Sequence, residues 1–576
     1  MTRKTWLFLR DVWSLAKPYW FSEDRWAGRG LLLVIVALNL GQVYLSVVMN
    51  HWYNDFYNAL QNLDEAAFYH QMLRFCVIAA IFIAVFIYRF YLGQVLQLRW
   101  RRWLTHRYID AWLGDRAYYL MQLRRDAADN PDQRIADDIR MFIDQTLTLG
   151  ISFMRETVSL VSFGIILWNL SGNQGFGLFG VEIPGYMLWA AFLYAVLGTW
   201  LTHLVGRPLV RLNFEQQRFE ADFRYSLVRF RENTEGVALY GGERDETRVF
   251  HRRFGNVVAN WWALMKRYKH MYLLTSTYGQ AAVVFPFLVA APRFFAKEIQ
   301  LGDVMQIASA FGQVQSSLSW FIDAYASLTE WRATVDRLTG FRDAIARAHA
   351  GRAAEGPVVA QGAQDRLALD HLDVKLPDGT LLLKDVDETV RKGERVLVTG
   401  PSGSGKSTLF RAIAGIWPFG TGRVEVPGAS VLFLPQKPYI PIGTLREVVC
   451  YPAAAARVPD EDVREALAAV QLGHLAGRLD EEGRWAMELS PGEQQRLAFA
   501  RALLAKPDWL FLDEATASLD APTEDAMYRL LRQRLPGTTV VSIGHRPSLA
   551  ALHERHLEVR PAPGGGRLVR REAPAG

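Results

Sequence analysis

The sequence predicts an α-helical membrane bundle followed by a soluble α/β domain, and three observations support this division. The chain has 576 residues, more than one hydrophobic core organises, because cores stop growing near about 250–300 residues. Every long apolar run precedes about residue 330, although the mean hydropathy of the whole chain is only +0.01. Beyond that point a short apolar strand leads through a glycine-rich turn into a helix, which is typical of α/β domains.

Charge and cysteine content exclude several classes of protein. The net charge of +6 is explained by the basic cytoplasmic loops of membrane proteins. Because no basic motif interleaved with aromatic residues occurs, we expect no nucleic-acid partner. The two cysteines, Cys76 and Cys450, form neither a CxxC pair nor a metal-ligand spacing. They therefore support neither a disulfide framework nor a zinc site.

The N-terminal region, residues 1–29, begins with a short apolar run around Trp6 and Leu9 that is interrupted by Arg10 and Asp11. This run is too short for the apolar region of a secretory signal. It predicts a helix that lies on the cytoplasmic membrane surface before the first span.

Six membrane spans are predicted within a transmembrane domain at residues 30–343. Each has about 20 mostly apolar residues, the length that crosses a bilayer. They are residues 30–52, 72–96, 147–170, 186–205, 272–291 and 303–326. The last would fail a strict hydropathy threshold. We include it because an even number of spans keeps both chain ends on one side of the membrane.

The loops between the spans predict the orientation of the bundle. The connections after spans two and four are long, helical in pattern and rich in arginine, whereas the opposite loops are short. Lys and Arg are concentrated on the cytoplasmic side of membrane proteins. We therefore expect both termini, both long loops and the α/β domain in the cytoplasm, with spans that extend below the lipid bilayer. The stretches 110–116 and 232–243 of these loops are candidates for contact with the α/β domain near Gln436.

Polar residues inside the spans predict a substrate cavity or, alternatively, polar contacts between helices. Those on spans one and six recur every three or four residues, on one helical face. The cavity candidates are Asn39, Gln42, Gln306, Ser309, Gln313, Ser316 and Trp320, and the same faces carry Ser46, Asn50 and Asp323. Isolated Asn or Ser residues commonly join helices, but so long a stripe favours a water-filled path. Ionisable residues within the spans are costly against lipid, so they should face the interior or water. These are Arg74, Arg89, Arg155, Glu156 and His203.

Composition places the remaining boundaries. An Ala- and Gly-rich linker is predicted at 344–365, the α/β domain at 366–560, and a disordered tail at 561–576.

A phosphate-binding loop follows the first buried strand of the α/β domain. The pattern GxxxxGK[ST] comprises Gly400, Pro401, Ser402, Gly403, Ser404, Gly405, Lys406, Ser407 and Thr408. The glycines let backbone N–H groups surround phosphate, Lys406 reaches the β- and γ-phosphate oxygens, and the Ser407 hydroxyl suits Mg²⁺. The following helix adds its positive N-terminal end. This motif predicts binding of ATP with Mg²⁺.

A second apolar strand, 509–512, leads into Asp513 and Glu514. A carboxylate at Asp513 suits Mg²⁺, bound directly or through water, and Glu514 can polarise an attacking water. The alternative, a strand that merely ends in two surface acids, is disfavoured by the phosphate-binding loop.

The stretch Leu489-Ser490-Pro491-Gly492-Glu493-Gln494-Gln495-Arg496 resembles the signature motif of ABC ATPases. The resemblance covers 366–560 and implies further roles. Gln436 would be the glutamine-loop residue, which takes part in catalysis and metal binding, and His545 the catalytic switch histidine. Ser490, Gly492 and Glu493 would contact nucleotide, and Ser518-Leu519-Asp520 would be the D-loop. In that family ATP lies between one subunit's phosphate-binding loop and its partner's signature. A chain with one such domain should therefore form a homodimer.

Within ABC transporters, the stretches 129–134, 232–243, 434–439 and 443–446 resemble two related groups. One is the peroxisomal subfamily D; the other comprises SbmA/BacA-like bacterial permeases with a fused ATPase. Asn54-Asp-Phe-Tyr-Asn-Ala-Leu60 and Ser319-Trp-Phe321 favour the bacterial group. The resemblance implies an exporter-like, domain-swapped dimer in the bacterial inner membrane. It also implies ATP-driven transport of a bulky hydrophilic solute, peptide-like or cobalamin-like, and transport by import is known in the group.

Three alternatives remain at the sequence level: a fatty-acyl or lipid transporter of the subfamily D type, an exporter of peptides or drugs, and a regulatory protein with a degenerate ATPase. The intact catalytic motifs disfavour the last. Two departures from the family pattern also stand out. No aromatic residue for adenine occurs in 373–379, and Pro491 replaces a signature glycine, which removes one N–H donor.

Overall fold

A computed structural model describes residues 3–124, 130–171, 184–352, 356–362 and 365–571. The chain divides into two compact units. The helical unit comprises Met1–Tyr108 and Asn130–Gly340, and the α/β unit comprises Ile109–Asp129 and Phe341–Gly576. Ile109–Asp129 belongs to the predicted first cytoplasmic loop, so a piece of the transmembrane domain folds with the α/β unit.

The helical unit consists mainly of long helices. Its helices are α1 (Arg3–Trp20), α2 (Arg25–Gln61), α3 (Glu65–Leu113), α5 (Ile139–Leu170), α6 (Tyr186–Glu232), the short α7 (Thr234–Tyr240), α8 (Glu243–Phe295) and α9 (Leu301–Arg352). The last turns of α3 and of α9 belong to the α/β unit, as does the intervening α4 (Ala117–Arg124). The six helices that carry the predicted spans have 32 to 53 residues. Because about 20 residues cross a bilayer, these helices are long enough to extend beyond the membrane.

Five helices of the described chain are long and apolar enough to cross a membrane: α2, α3, α5 (with the short turns that precede it), α6 and α8. The helix α9, which carries the sixth predicted span, does not reach that hydropathy, in keeping with its polar face. The side chain of Asp323 lies outside the described residues.

Side-chain amides join the end of α2 to the start of α9. Asn54 Nδ2 donates to Asp303 Oδ1 at 2.7 Å and to Gln306 Oε1 at 2.9 Å. Asn58 Oδ1 accepts from the backbone N–H of Gly302 at 2.8 Å, and Gln61 Oε1 accepts from that of Leu301 at 2.6 Å. These two amides satisfy N–H groups that a helix N-terminus leaves without partners. The stretch 54–60 therefore has a structural role, as the cap of α9.

Replacement of Gly302 by Ala tests this cap. A Cβ at Gly302 would lie 2.1 Å from the Asn54 carbonyl oxygen, so the two helix ends must separate. We expect a loss of about 1–3 kcal/mol of stability, the usual cost of overpacking. Thermal unfolding in detergent measures this loss. Gly312→Ala on the same helix is the matched control, because a Cβ there meets nothing within 4 Å. Equal unfolding temperatures for the two variants would contradict the proposed cap.

The α/β unit contains three sheets. Its strands are β1 (Val358–Gly362), β2 (Arg366–Lys375), β3 (Leu381–Arg391), β4 (Arg395–Thr399), β5 (Gly420–Pro427), β6 (Val431–Leu434), β7 (Gly443–Thr444), β8 (Glu482–Gly483), β9 (Trp509–Asp513), β10 (Thr539–Ile543), β11 (Arg555–Arg560) and β12 (Arg567–Arg571). The six-stranded sheet has the order β12-β11-β4-β10-β9-β6 and is parallel except for β12. The four-stranded sheet has the order β1-β5-β2-β3, and β7 pairs with β8.

Helices pack around the parallel strands. They are α10 (Lys406–Ile413), α11 (Leu445–Cys450), α12 (Asp460–Ala469), α13 (Trp485–Glu488), α14 (Pro491–Ala505) and α15 (Ala521–Arg534). The first four residues of β9 and all five of β10 are buried. Such continuous apolar strands are typical of a parallel sheet that is covered on both faces.

Two of the predicted boundaries of the α/β domain are wrong. The predicted linker, 344–365, is helical to Arg352 and then forms β1, which pairs in parallel with β5. The predicted disordered tail, 561–576, contains β12, which pairs antiparallel with β11, and Gly566 exchanges backbone hydrogen bonds with 382–384. Both strands lie at a sheet edge and owe their order to pairing with distant residues. Residues 572–576 of that prediction lie outside the described residues.

The segment Ile109–Asp129 packs on the α/β unit through α4. Ala117, Leu120 and Met121 are buried, and Arg116 Nη1 donates to the Ala414 carbonyl at 3.2 Å. Ala414 directly follows α10, the helix that begins with Lys406. The expected contact of this loop was near Gln436; the structure places it instead at the far end of the phosphate-binding helix.

Candidate nucleotide site

The candidate nucleotide site lies at the carboxyl ends of neighbouring strands. Gly400 follows β4, His545 lies two residues beyond β10, and β9 ends in Asp513 with Glu514 next. Gln436 lies two residues beyond β6. Because the strands are parallel, their carboxyl ends meet at one edge of the sheet, where ligands bind in open α/β sheets.

The phosphate-binding loop depends on glycines. Gly400, Gly403 and Gly405 have φ angles of 146°, 76° and 94°, which glycine adopts without strain. A Cβ at Gly400 would also lie 2.7 Å from the Val559 carbonyl oxygen. The Ser404 hydroxyl is buried without a hydrogen-bond partner. A buried orphan hydroxyl inside a loop of this shape fits a bound phosphate group.

Lys406 opens α10, and its side chain is 5% exposed. Its Nζ donates to the carbonyl oxygens of Gly400 at 2.9 Å and Pro401 at 2.8 Å. Burial lowers the pKa of Lys406, while Glu514 and Asp513 act in the opposite direction. The ammonium group is thus held across the phosphate-binding loop, where β- and γ-phosphate oxygens would replace the two carbonyls.

Two oxygen-bearing side chains, those of Ser407 and Asp513, form a pair at the phosphate-binding loop. The Ser407 hydroxyl donates to Asp513 Oδ1 at 2.8 Å. Burial raises the pKa of Asp513, and the hydrogen bond from Ser407 opposes that change. Hydroxyl and carboxylate oxygens are the ligands that Mg²⁺ prefers. Ser407 and Asp513 therefore fit a magnesium ion, and Gln436 remains the third predicted ligand.

Glu514 lies between the two other predicted catalytic residues. Gln436 Nε2 donates to Glu514 Oε2 at 3.1 Å, and His545 Nε2 lies 3.0 Å from Glu514 Oε1. The backbone of Glu514 is left-handed, with φ of 48°, and its N–H donates to the Ile543 carbonyl. A non-glycine residue in this conformation costs about 1–3 kcal/mol and is typical of functional sites. The carboxylate is thus positioned by its neighbours and by its own backbone.

The signature residues form the start of α14. Ser490 is the N-cap, Pro491 is the first helical residue, and Glu493 completes a capping box. The Glu493 carboxylate accepts from the backbone N–H of Ser490 at 2.9 Å and from its hydroxyl at 2.8 Å, and these bonds lower its pKa. At the first helical position Pro removes an N–H group that no intrahelical acceptor would satisfy. The substitution of a signature glycine by Pro491 is therefore compatible with the helix, and Gly492 retains its N–H.

Two buried side chains that the sequence analysis did not single out organise the site. Gln495 Nε2 donates to the Gln436 carbonyl at 3.0 Å, and its Oε1 accepts from the Ser518 N–H at 2.8 Å. Arg501 donates to the carbonyls of Val448 and Tyr439, and burial lowers its pKa to about 10. The signature helix is thereby tied to the glutamine loop and to Ser518 of the predicted D-loop.

The predicted cavity residues of the helical unit are brought together only in part. Asn39 is buried and accepts from Arg89, and Gln306 is buried and bonded to Asn54. The others are half-buried (Gln42, Ser309, Trp320) or exposed (Gln313, Ser316). Asn39 and Gln306 therefore join helices, whereas Gln313 and Ser316 are exposed in the single chain.

Comparisons with known proteins identify the family of both halves of the chain. The family model described as "ABC transporter transmembrane region 2" matches residues 15–295, and that described as "ABC transporter" matches residues 383–517. An uncharacterized ABC transporter ATP-binding protein of Haemophilus influenzae is 40% identical over 95% of this chain and 92% of its own length. The inner membrane ABC transporter ATP-binding protein YddA of Escherichia coli is 34% identical over 93% and 94%.

Two further likenesses are more distant. The human lysosomal cobalamin transporter ABCD4 is 27% identical, over 96% of this chain and 93% of its own. The solved structure of a bacterial Atm1-family ABC exporter with ATP bound has a TM-score of 0.69 at 18% identity, covering 93% of this chain and 94% of the other. At that identity the structure supports the fold alone.

Helices long and apolar enough to span a membrane, joined to an ATPase domain, define an ATP-hydrolysing membrane transporter. The chain belongs to the ABC transporter family, with the transmembrane and ATPase domains fused in one polypeptide. The predicted family, fold class and ATPase activity are thereby confirmed.

Proposed function

We propose that this ABC transporter imports a bulky hydrophilic solute, peptide-like or cobalamin-like, across the bacterial inner membrane as a homodimer. The observation that carries the proposal is the polar face of α9, where Gln313 and Ser316 are exposed in the middle of a predicted span. Exposed polar groups at that depth are costly against lipid and suit a water-filled path. YddA is named as an inner membrane protein, which supports the proposed membrane. ABCD4 is named as a cobalamin transporter, which supports the proposed class of solute.

The ATPase step can be derived from this chain's own residues. The phosphate-binding loop and Lys406 hold the phosphates, and the ammonium group neutralises charge that develops on them. Magnesium, held by Ser407, Asp513 and Gln436, would draw charge from the phosphate oxygens. Glu514 accepts a proton from the attacking water. Gln436 and His545 keep that carboxylate oriented.

The separation of the two sets of predicted nucleotide contacts supports the proposed dimer. Within the described residues, no hydrogen bond joins the signature residues 490–493 to the phosphate-binding loop 400–408; the signature carboxylate caps its own helix. A second copy would bring its signature to this loop, as the family resemblance implies, and complete each of two sites. The lipid bilayer and the solute are the other partners proposed.

Directional flux tests the proposal. The transporter would be placed in proteoliposomes with ATP and Mg²⁺ outside, so that only chains with outward-facing ATPase units work. We expect ATP-dependent loss of a preloaded labelled hydrophilic peptide, which corresponds to import into the cell. The variant Glu514→Gln is the control. Accumulation of external peptide would show export instead, and no flux together with ATPase stimulation by acyl-CoA would favour the lipid transporter.

A further inference from the structure

Charged and polar side chains from four helices of the bundle lie inside the predicted spans. We call Arg89, Asn39, Arg155, Glu156 and Ser317 the intramembrane cluster. Arg89 is on α3, Asn39 on α2, Arg155 and Glu156 on α5, and Ser317 on α9. Asn39 and Ser317 are buried, and the three charged residues are half-buried. The cluster therefore lies between helices, toward the interior of the bundle.

The acidic member of the cluster is already paired. Glu156 Oε1 accepts from Arg155 Nη2 at 2.7 Å and from Arg155 Nε at 2.9 Å. Its other oxygen, Oε2, accepts from the Ser317 hydroxyl at 2.9 Å. The cluster has two guanidinium groups and one carboxylate, and that carboxylate pairs with Arg155. One positive charge of the cluster therefore remains without compensation.

That uncompensated charge is Arg89. Its Nη1 donates to Asn39 Oδ1 at 3.2 Å, and its guanidinium lies 5.4 Å from the centre of the Phe86 ring. Its Nε is buried without an acceptor. In the part of the chain that the structure describes, no carboxylate lies within ion-pairing distance of Arg89, whereas Arg155 is close enough to repel it.

The position of Arg89 is fixed by groups that cannot neutralise it. Asn39 also donates to the Ile35 carbonyl at 2.8 Å, which directs its amide oxygen to the guanidinium. Charge-neutral contacts of this kind orient an arginine and leave donors for a further acceptor, because the guanidinium has five N–H groups. An arginine within a membrane span is costly against lipid, so its usual roles are functional.

We propose that Arg89, oriented by Asn39 and reinforced by the charge of Arg155, binds an anionic group of the transported solute. The group is a carboxylate or a phosphate, the two anions that a guanidinium pairs with in a forked geometry. This inference rests on the proposed transport function and specifies the substrate class: hydrophilic solutes that carry at least one negative charge.

Equilibrium binding tests the site without requiring transport. Three peptides of equal length would be titrated calorimetrically into the full-length transporter in lipid nanodiscs: one with glutamates, one with phosphoserines and one with glutamines. We expect the wild type to bind at least one anionic peptide about tenfold or more tightly than the glutamine peptide, as one charge-assisted hydrogen bond implies. Whichever anionic peptide binds more tightly distinguishes carboxylate from phosphate.

Variants on one helix supply the controls. Arg89→Gln should abolish the preference and leave weak binding of the glutamine peptide, whereas Arg89→Lys should keep part of it. Arg74→Gln removes the same charge from α3 where Asp55 pairs with Arg74 at 2.7 Å, and it should leave the preference unchanged. Unchanged unfolding temperatures would show that Arg89→Gln is folded.

The outcomes separate the site from the transport function. Equal affinity of the wild type for all three peptides, no binding of any of them, or a preference that survives Arg89→Gln would overturn the anion site. Anionic peptides that bind with the expected preference, yet show no ATP-dependent flux in proteoliposomes, would uphold the site and reject the proposed function. Flux of the glutamine peptide equal to that of both anionic peptides would uphold transport and reject the site.

Discussion

Replacement of Glu514 by Gln is expected to lower ATP turnover by about 10²–10⁴-fold, the usual contribution of a general base. The amide keeps the size of the side chain but cannot accept the proton of the attacking water. The phosphate-binding loop is untouched, so ATP should still bind and should accumulate in a closed dimer. Steady-state phosphate release measures the loss of turnover. The nucleotide that remains bound to the whole transporter measures the accumulation of the ATP-bound dimer.

A matched control separates catalysis from loss of charge. Glu461 lies on the surface in the first turn of α12, and Glu461→Gln removes the same charge far from the motifs. It should retain wild-type turnover. If Glu514→Gln hydrolysed ATP at the wild-type rate, the base would have to be another group, and the bonds from Gln436 and His545 would need another explanation.

Replacement of Lys406 by Met is expected to weaken ATP binding by about 10²–10⁴-fold. Methionine fills much of the same space, but the ammonium group that now bonds to two carbonyl oxygens is lost. Each charge-assisted hydrogen bond contributes about 1.5–3 kcal/mol, and two phosphate contacts would be missing. Displacement of a fluorescent ATP analogue measures the dissociation constant.

The control for this variant is Lys392→Met. Lys392 is exposed and pairs with Asp365 at 2.8 Å on the surface, where such ion pairs contribute about 0–1 kcal/mol. ATP affinity should be unchanged. A dissociation constant of Lys406→Met within a factor of a few of the wild type would contradict the assignment of Lys406 to the phosphates.

The candidate site was largely predictable because each motif carries its own local geometry. The glycines before Lys406 require left-handed backbone, and an apolar strand that ends in Asp513 and Glu514 leaves both carboxylates at a sheet edge. Because the strands pair in parallel, their carboxyl ends then lie together at one edge of the sheet. The bridging role of Gln495 was not predictable, because it depends on which loops happen to flank α14.

The errors in the fold have a related cause. Residues 561–566 are rich in Pro and Gly, and β12 has three arginines among five residues, so the composition indicates disorder. Pairing with β11 supplies the order, and a partner strand is a long-range property that local patterns do not encode. The same holds for β1 and for the packing of α4 beside Ala414.

The sixth predicted span is a segment that is helical, as predicted, although its hydropathy is low. Its polar face lowers the hydropathy of α9 below that of a typical span, yet the helix runs unbroken from Leu301 to Arg352. The amides of α2 that cap its first turn are the tertiary contacts that compensate. Hydropathy alone therefore does not identify a long helix that carries a polar face.

The position of β12 bears on how this protein avoids aggregation. A bare β11 would present a row of unpaired N–H and C=O groups, the usual template for sheet-to-sheet association between chains. The structure covers that edge with a short strand carrying Arg567, Arg570 and Arg571, and like charges discourage a further strand from adding. Transporters crowded in a membrane would thus be protected from joining edge to edge through their sheets.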